Sequence, residues 1–320
     1  MKRLIPVLRA DEVELDLIML IRTILAATKE ISFRVSQGAL GGVLGSTLDE
    51  NIQGETQKKL DVIANQLFKD MLLNEGNVKS FASEEEDTVV AVHDNGKFVV
   101  AFDPLDGSSN IDINGQIGTI FTIFPAIDSL AADDEKQFLR KGHEQVAAGY
   151  VLYGPSTMLV LSTGKQTRCF TLDRTHGGYL LTHEEMQVPA DACEFSINMS
   201  NYSKWPQYIQ QYIDGLISPK GDGAPEYNMR WNGAMVGDIH RILTRGGIFL
   251  YPQNALKQGD TGKLRLLYEA MPMAMLIEGA GGLASSGTQD IMQTRLTQLH
   301  QRVPVIMGSK KEVEACLSIC

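Results

Sequence analysis

Apolar residues recur at Val13, Leu17, Ile21, Ile24, Ile31 and Val35, the three- and four-residue spacing that puts them on one buried face of a helix. Asp11 stands where a capping carboxylate belongs and Glu14 follows three residues later, so the pattern predicts a helix beginning near Asp11. Residues 38–54 are polar and glycine-rich, with Gly41, Gly42 and Gly45. A stretch of that length without periodicity is expected to be mobile or functional. A second helix is predicted over 55–73, with Leu60, Ile63, Leu67 and Met71 facing inward.

Beyond it the period shortens. Runs rich in β-branched and aromatic residues predict strands over 89–92, 98–102, 117–124, 147–152, 158–161 and 168–172. From about Val188 helical and strand patterns alternate: 205–213, 236–243 and 264–278 read as helices, 247–251 and 303–307 as strands. The change of rhythm places a soft boundary near 185–195, dividing the chain into 1–187 and 188–320. No repeat or low-complexity segment interrupts either half, and the two read as layers of helix and sheet sharing a cleft.

Composition narrows the class. The 320 residues are 43% hydrophobic and 21% charged, with 30 glycines and 11 prolines scattered along the chain, which excludes a disordered or fibrous protein. With 29 Lys+Arg against 39 Asp+Glu the formal charge is −10, so a nucleic acid partner is not expected. The apolar stretch after Met1-Lys2-Arg3 is broken by Arg9 and Asp11 and is too short for a secretion signal. No run reaches the roughly 18 apolar residues that span a bilayer. Cys169, Cys193, Cys316 and Cys320 form no CxxC pair, and reduced thiols in the cytoplasm are the expectation. Cys316 and Cys320 have the spacing to share a face of a terminal helix.

The densest chemistry is Asp103-Pro104-Leu105-Asp106-Gly107-Ser108-Ser109-Asn110. A strand delivers Asp103 to its end, Pro104 forces a turn, and Asp106 returns a second carboxylate to the same side. Two carboxylates so close repel unless a cation lies between them, and hard oxygen ligands suit Mg²⁺ or Mn²⁺. Gly107-Ser108-Ser109-Asn110 then offers successive N–H groups and hydroxyls, as a phosphate cradle does. Ser83-Glu84-Glu85-Glu86-Asp87 alone reads as a solvated acidic turn. Beside the first motif it becomes a source of further carboxylates, as do Asp61 and Glu269, because two-metal phosphoryl chemistry needs more than two. Gly279-Ala280-Gly281-Gly282-Leu283-Ala284 fits a loose dinucleotide pattern but lacks its βαβ setting, so it reads as helix termination. His240 reads as structural.

These strings, with Lys58-Lys59-Leu60-Asp61, Gly246 to Pro252 and Gly262 to Glu269, make the chain resemble class 1 fructose-1,6-bisphosphatases from about Thr28 to Gly308. The Asp103–Ser108 string alone marks only the wider superfamily of lithium-sensitive, metal-dependent phosphatases. The resemblance implies an α/β fold, a layered α-β-α-β-α sandwich, assembled as a homotetramer. It implies that Glu84, Asp103, Asp106, Glu269 and the Leu105 carbonyl ligate Mg²⁺, with Mn²⁺ a possible substitute. It gives Asp61 and Glu85, with Glu84, the task of orienting and deprotonating water. Asp106, Gly107, Ser108 and Ser109 would hold the 1-phosphate; Asn198, Tyr251 and Lys263 the sugar and its 6-phosphate; and Arg230 would reach that phosphate from a neighbouring subunit. Asn51 and Glu55 would belong to a loop that closes over the metals.

Some positions depart from the family pattern. Trp231 replaces a tyrosine that contacts the 6-phosphate, and Tyr202 is displaced by one position, so a seven-carbon sugar bisphosphate (sedoheptulose 1,7-bisphosphate) is an alternative substrate. A non-catalytic phosphate sensor would require a missing carboxylate, and none is missing. Where many members begin the AMP-binding helix with Thr-Gly-Glu-Leu-Thr, this chain has Glu14-Leu15-Asp16-Leu17-Ile18, with Lys97-Phe98 and Pro125 at the other AMP positions. Carboxylates there repel a phosphate, and AMP inhibition by this route is expected to be weak or absent.

Overall fold

The computed structural model describes residues 1–50, 56–218 and 225–319; Asn51, Glu55 and Cys320 lie outside them. Strand alternation builds its layers. Along Phe98–Asp106, the side chains of Phe98, Val100 and Phe102 enter one core while Val99 and Ala101 enter another, as a period of two demands. That strand is central in an eight-stranded sheet of order 178–183, 167–173, 157–162, 147–153, 117–125, 98–106, 78–83, 90–91. Every pairing in it is antiparallel except that between Val78–Ser83 and Phe98–Asp106. One face is covered by helices α1 (Leu4–Ala10), α2 (Leu15–Gln37) and α3 (Lys59–Leu72).

The other face packs on α5 (Met235–Arg245) and α6 (Met271–Glu278). Behind those helices lies a five-stranded mixed sheet of order 228–229, 194–196, 248–251, 305–308, 283–285. Its strand Ile248–Tyr251 sends Phe249 to the α5–α6 core, and Ile248 and Leu250 to a third core with α4 (Gln207–Ile217) and α7 (Lys310–Leu317). The result is the expected α-β-α-β-α sandwich. Helix α6 is buried from Met271 through Ile277, as a helix caught between two sheets must be.

Several boundaries differ from the pattern, each for a local reason. The helix expected from Asp11 begins at Leu15, because the Asp11 carboxylate is 2.7 Å from the Arg168 guanidinium instead of capping. The short apolar run before it is itself helical, and its Leu4, Val7 and Leu8 join the core. The helix expected over 55–73 begins at Lys59, and its buried ridge is Leu60, Ala64, Phe68 and Leu72; Ile63, Leu67 and Met71 flank it half-buried. The helix expected over 264–278 opens with a strand pair, Leu264–Arg265, and a wide π-type turn over Leu266–Ala270 before α6 starts. Strands Val78–Ser83 and Gly178–His183 were not foreseen. Cys169 and Cys316 are buried and Cys193 is exposed.

The Phe68 ring of α3 stacks on Phe102 of the central strand at 4.7 Å and 22°, both fully buried. This contact sets the distance between the helix that begins beside Asp61 and the strand that carries Asp103. Phe68→Ala is expected to cost about 3–5 kcal/mol of stability in denaturant unfolding; a change under about 1 kcal/mol would show that the stack does not tie α3 to the sheet.

Candidate active site

The parallel pairing of Val78–Ser83 with Phe98–Asp106 places Ser83 opposite Phe102, so Glu84, just past the end of its strand, comes to lie beside Asp103, which is still paired with Ile120. The Asp103 carboxylate accepts a bond from the Leu105 N–H at 2.9 Å, folding the Pro104 turn back. Asp106 accepts from the Val236 N–H at 2.7 Å, in the first turn of α5, where backbone donors point outward and the helix dipole favours an anion. Glu269 sits in the π-type turn and accepts from the Arg265 N–H at 2.6 Å. Such turns present side chains that a regular helix would hold elsewhere. One oxygen from each of Asp103, Asp106 and Glu269 lies within 4.8 Å of the others.

Asp61, Glu84, Glu85, Asp103, Leu105, Asp106, Gly107, Ser108, Ser109, Tyr251, Lys263 and Glu269 all line one cleft of about 210 Å³. Its neighbour, about 250 Å³, shares Tyr251 and Lys263 and adds Asn198. The structure thus brings together most of the residues picked from sequence. Arg230 lines neither cavity and is exposed, its Nη1 donating to the Met229 carbonyl at 2.9 Å. Asn51 and Glu55 fall outside the described residues. Within the acidic run the side chains divide: Glu84 and Glu85 line the cleft, while Glu86 binds Lys69 and Asn65 of α3 at 2.6 and 2.8 Å.

Burial dominates the electrostatics. It pushes the Asp103 carboxyl well above the usual carboxylate range, aided by the charges of Glu84, Asp106 and Glu269. Burial likewise pushes Asp106 to about 7 and Glu269 to about 7. Asp61 is pushed to about 7 by burial, with Glu85 and Glu84 adding to it. The buried counter-cation is Arg265, whose Nη1 is 2.6 Å from Glu84 and 3.9 Å from Glu269. Buried hard carboxylates in excess of their cation are the donor set a divalent metal takes. Asp61 Oδ1, buried without a hydrogen-bond partner, fits that reading.

The loop beside them is shaped by Gly107, which has φ +80°; a Cβ there would lie 2.4 Å from that of Ala234. Ser108–Asn110 form a single 3₁₀ turn.

Three groups escaped the sequence reading. Arg265 looked like one more residue of an apolar run. Asp238 in α5 gathers the Ser196 hydroxyl at 2.8 Å and the Asn232 N–H at 2.9 Å. Asn232 in turn accepts at its carbonyl from Asn110 Nδ2 at 2.9 Å. An acid followed by Ile239-His240 carried no signal of its own; only its contacts single it out.

The family model described as "Fructose-1-6-bisphosphatase, N-terminal domain" matches residues 7–184, and "Fructose-1-6-bisphosphatase, C-terminal domain" matches 188–320. Proteins named "Fructose-1,6-bisphosphatase class 1" from Cellvibrio japonicus and Colwellia psychrerythraea are 63% and 62% identical, each over 99% of both chains. The chain belongs to the class 1 fructose-1,6-bisphosphatase family. A holo-form crystal structure of Leishmania major fructose-1,6-bisphosphatase matches with TM-score 0.89 at 40% identity, covering 95% of this chain and 94% of that one. Members of this family are metal-dependent, which agrees with the donor set. Among the described residues no helix is long and apolar enough to cross a membrane.

Charge predicts how this fructose-1,6-bisphosphatase family site responds to pH. Asp61, Asp106 and Glu269 hold a proton up to about 7 when folded but only to ~4 when unfolded. Their contribution to stability is complete below that lower value and is lost as pH rises through the folded one. His240, pushed down to about 4 by burial, acts oppositely, losing stability as pH falls through its folded value, but it is outnumbered. In EDTA the melting temperature is expected to fall between about pH 5.5 and about pH 8. Added Mg²⁺ should raise it more at the higher pH; an equal rise at both would separate the metal from these carboxylates.

Proposed function

We propose that the chain hydrolyses the 1-phosphate of D-fructose 1,6-bisphosphate, giving fructose 6-phosphate and phosphate. The observation that carries this reading is the convergence of Asp61, Glu84, Glu85, Asp103, Asp106 and Glu269 on the same cleft as the Gly107–Ser109 loop, with Lys263 shared by the adjoining cavity. Family membership over both halves supports it. The division at about residue 187 gives a half that supplies most of the carboxylates and a half that supplies most of the sugar-phosphate contacts.

Glu84, Asp103, Asp106, Glu269 and the Leu105 carbonyl would hold Mg²⁺, or Mn²⁺ in its place. When bound, the metal supplies positive charge beside the phosphoryl oxygens and lowers the pKa of water. Asp61 and Glu85 orient the attacking water for in-line displacement and take its proton. The hydroxyls of Ser108 and Ser109 and the N–H groups of their turn hold the 1-phosphate, so that charge is met as it develops. Lys263, Asn198 and Tyr251 hold the sugar and its distal phosphate, and that remote binding fixes the reacting end. Trp231, stacked against Phe249 at 6.3 Å and 3°, forms the wall on which sugar length is read.

Arg230 is exposed on its own chain, and in a homotetramer it reaches the 6-phosphate of a neighbouring subunit. Asn51 and Glu55 belong to the segment that closes the cleft. A soluble enzyme of central sugar metabolism in the cytoplasm is the setting that fits such a substrate.

The direct test is phosphate release from fructose 1,6-bisphosphate, sedoheptulose 1,7-bisphosphate and inositol phosphates, with and without EDTA. Fructose 1,6-bisphosphate is expected to turn over fastest, EDTA to abolish release, and Asp103→Asn to lower kcat by on the order of 10³-fold. Lys263→Ala is expected to raise KM on the order of tenfold with a smaller change in kcat. Faster turnover of inositol phosphates, or release that survives EDTA, would overturn the reading.

At the position of the family's AMP site, the Lys97 ammonium is bound by Asp16 and, at 3.2 Å, by Glu14. The cation that would meet a phosphate is already occupied, and both occupants repel the newcomer. AMP at micromolar concentration is expected to leave the rate unchanged; inhibition abolished by Lys97→Ala would refute this.

A further inference from the structure

Glu84 and Glu269 come to the cleft on two separate turns, one after strand Val78–Ser83 and one before α6. A segment near the end of the chain reaches both. The Gln301 carbonyl accepts from the Leu266 N–H at 2.8 Å, and Arg302–Val303 pair antiparallel with Leu264–Arg265, so residues 301–303 hold the start of the π-type turn. One position earlier, His300 Nε2 lies 3.0 Å from the Glu86 carbonyl oxygen, in the acidic turn.

The His300 ring also meets the π-type turn directly. It lies against the ring of Tyr268, with centroids 5.3 Å apart at 38°, and Tyr268 is fully buried and immediately precedes Glu269. One imidazole therefore touches the chain two residues after Glu84 and one residue before Glu269. A carbonyl oxygen can only accept, so Nε2 carries a proton and donates it to Glu86. His300 Nδ1 is buried without a hydrogen-bond partner among the described residues, and nothing in its surroundings asks for a nitrogen at that corner of the ring.

The acidic turn is gripped from its other side by α3. The Glu86 carboxylate takes Lys69 and Asn65 at 2.6 and 2.8 Å, and Asn65 Oδ1 accepts from the Ser83 hydroxyl at 2.8 Å. Glu86 is thus held by its side chain from the first half of the chain and by its carbonyl from the second. Glu84 and Glu85 lie between two fixed points, Ser83 and Glu86.

We propose that His300 is a positioning residue for the metal: by holding the Glu86 carbonyl while its ring rests on Tyr268, it keeps Glu84 and Glu269 at the separation a divalent cation needs. The inference rests on the reading that these carboxylates hold the metal. Without a cation the buried carboxylates repel one another, and the two turns that carry them belong to different halves of the chain. If the turns were free to part, part of the binding energy would go into closing them, and affinity would fall by the fraction of molecules already closed. Groups that orient metal ligands change affinity about 10–100-fold when removed. His300 acts through the backbone of a turn, which puts its effect at about tenfold, the lower end of that range.

The test is calorimetric titration of the EDTA-treated, dialysed full chain with Mn²⁺, without substrate. His300→Phe keeps a ring on Tyr268 and removes the donor, His300→Met is a second donor-free variant, and His300→Gln returns an amide N–H near the position of Nε2. The Phe and Met variants are expected to bind Mn²⁺ about tenfold more weakly than wild type, and the Gln variant within about twofold of it. In the phosphate-release assay the Mg²⁺ concentration for half-maximal rate should rise in the same order, while kcat and the KM for sugar bisphosphate at saturating Mg²⁺ stay unchanged; a merely structural role would not make that division. Circular-dichroism melts in EDTA identify the variants that fold, and if neither donor-free variant does, the Gln variant decides alone, a tenfold loss counting against the proposal and wild-type affinity for it. Equal Mn²⁺ affinity in wild type and the Phe or Met variant, or a Gln variant as weak as they are, would overturn the proposal and leave the metal reading standing. Wild type that takes up no Mn²⁺ would overturn both.

Discussion

Buried negative charge in excess of buried positive charge is the constraint around which this molecule is arranged. Glu84, Asp103, Asp106 and Glu269 are each no more than 9% exposed, and the guanidinium buried among them, Arg265, touches two of the four. Removing an ionised carboxylate from water costs several kcal/mol even after relaxation. The fold meets that cost in three ways. Protons are held to unusually high pH; backbone N–H groups of Leu105, Val236 and Arg265 are turned toward the carboxylates; and room for a cation is left between them. Arg265 then serves as a resident charge that keeps Glu84 and Glu269 in place whether or not a metal is present.

The layers make such a cluster affordable because they bring strand ends and helix starts to one point. The shorter of two parallel strands ends at Ser83 and releases Glu84 beside Asp103 of the longer one. The turn after the longer strand returns Asp106 to the first turn of α5, and the π-type turn before α6 adds Glu269. Both helices lie in the middle layer, pressed between the sheets, so their starts cannot drift from the strand ends. Chemistry at the ends of strands and the beginnings of helices is where unpaired backbone donors are available; here a packed core fixes them in space.

What could be read beforehand follows from this. The strand ending in Asp103-Pro104-Leu105-Asp106-Gly107 was legible because its turn chemistry and its carboxylates are contiguous, and the five-layer sandwich because the remaining strings resemble one family. The parallel strand Val78–Ser83 was not, since a fully buried run with Lys79 and two serines has neither alternation nor a continuous apolar stretch. The start of α2 was misplaced because capping by Asp11 and pairing with Arg168 use the same oxygens, and a partner 157 residues away leaves no local mark. Arg265 was missed for a similar reason: its nearer carboxylate partner, Glu84, comes from an acidic turn far back along the chain.

Asp238 and Asn232 show the same lesson at the level of coupling. The Asn110 amide donates to the carbonyls of Gln116 and Asn232, closing the end of the Gly107–Asn110 loop on the segment that carries Arg230 and Trp231. Asp238 accepts from Asn232 and from Ser196 of the second sheet. The Gly107–Asn110 loop, the Trp231 wall and the sheet behind it are therefore pinned through a single pair of side chains, Asn232 and Asp238. It follows that the spacing between the two regions proposed to hold phosphate is set by buried amide and carboxylate geometry as well as by the residues that would touch the substrate. Trp231, the wall proposed to read sugar length, is held in place by the same network, because the next residue in the chain, Asn232, is fixed by Asp238.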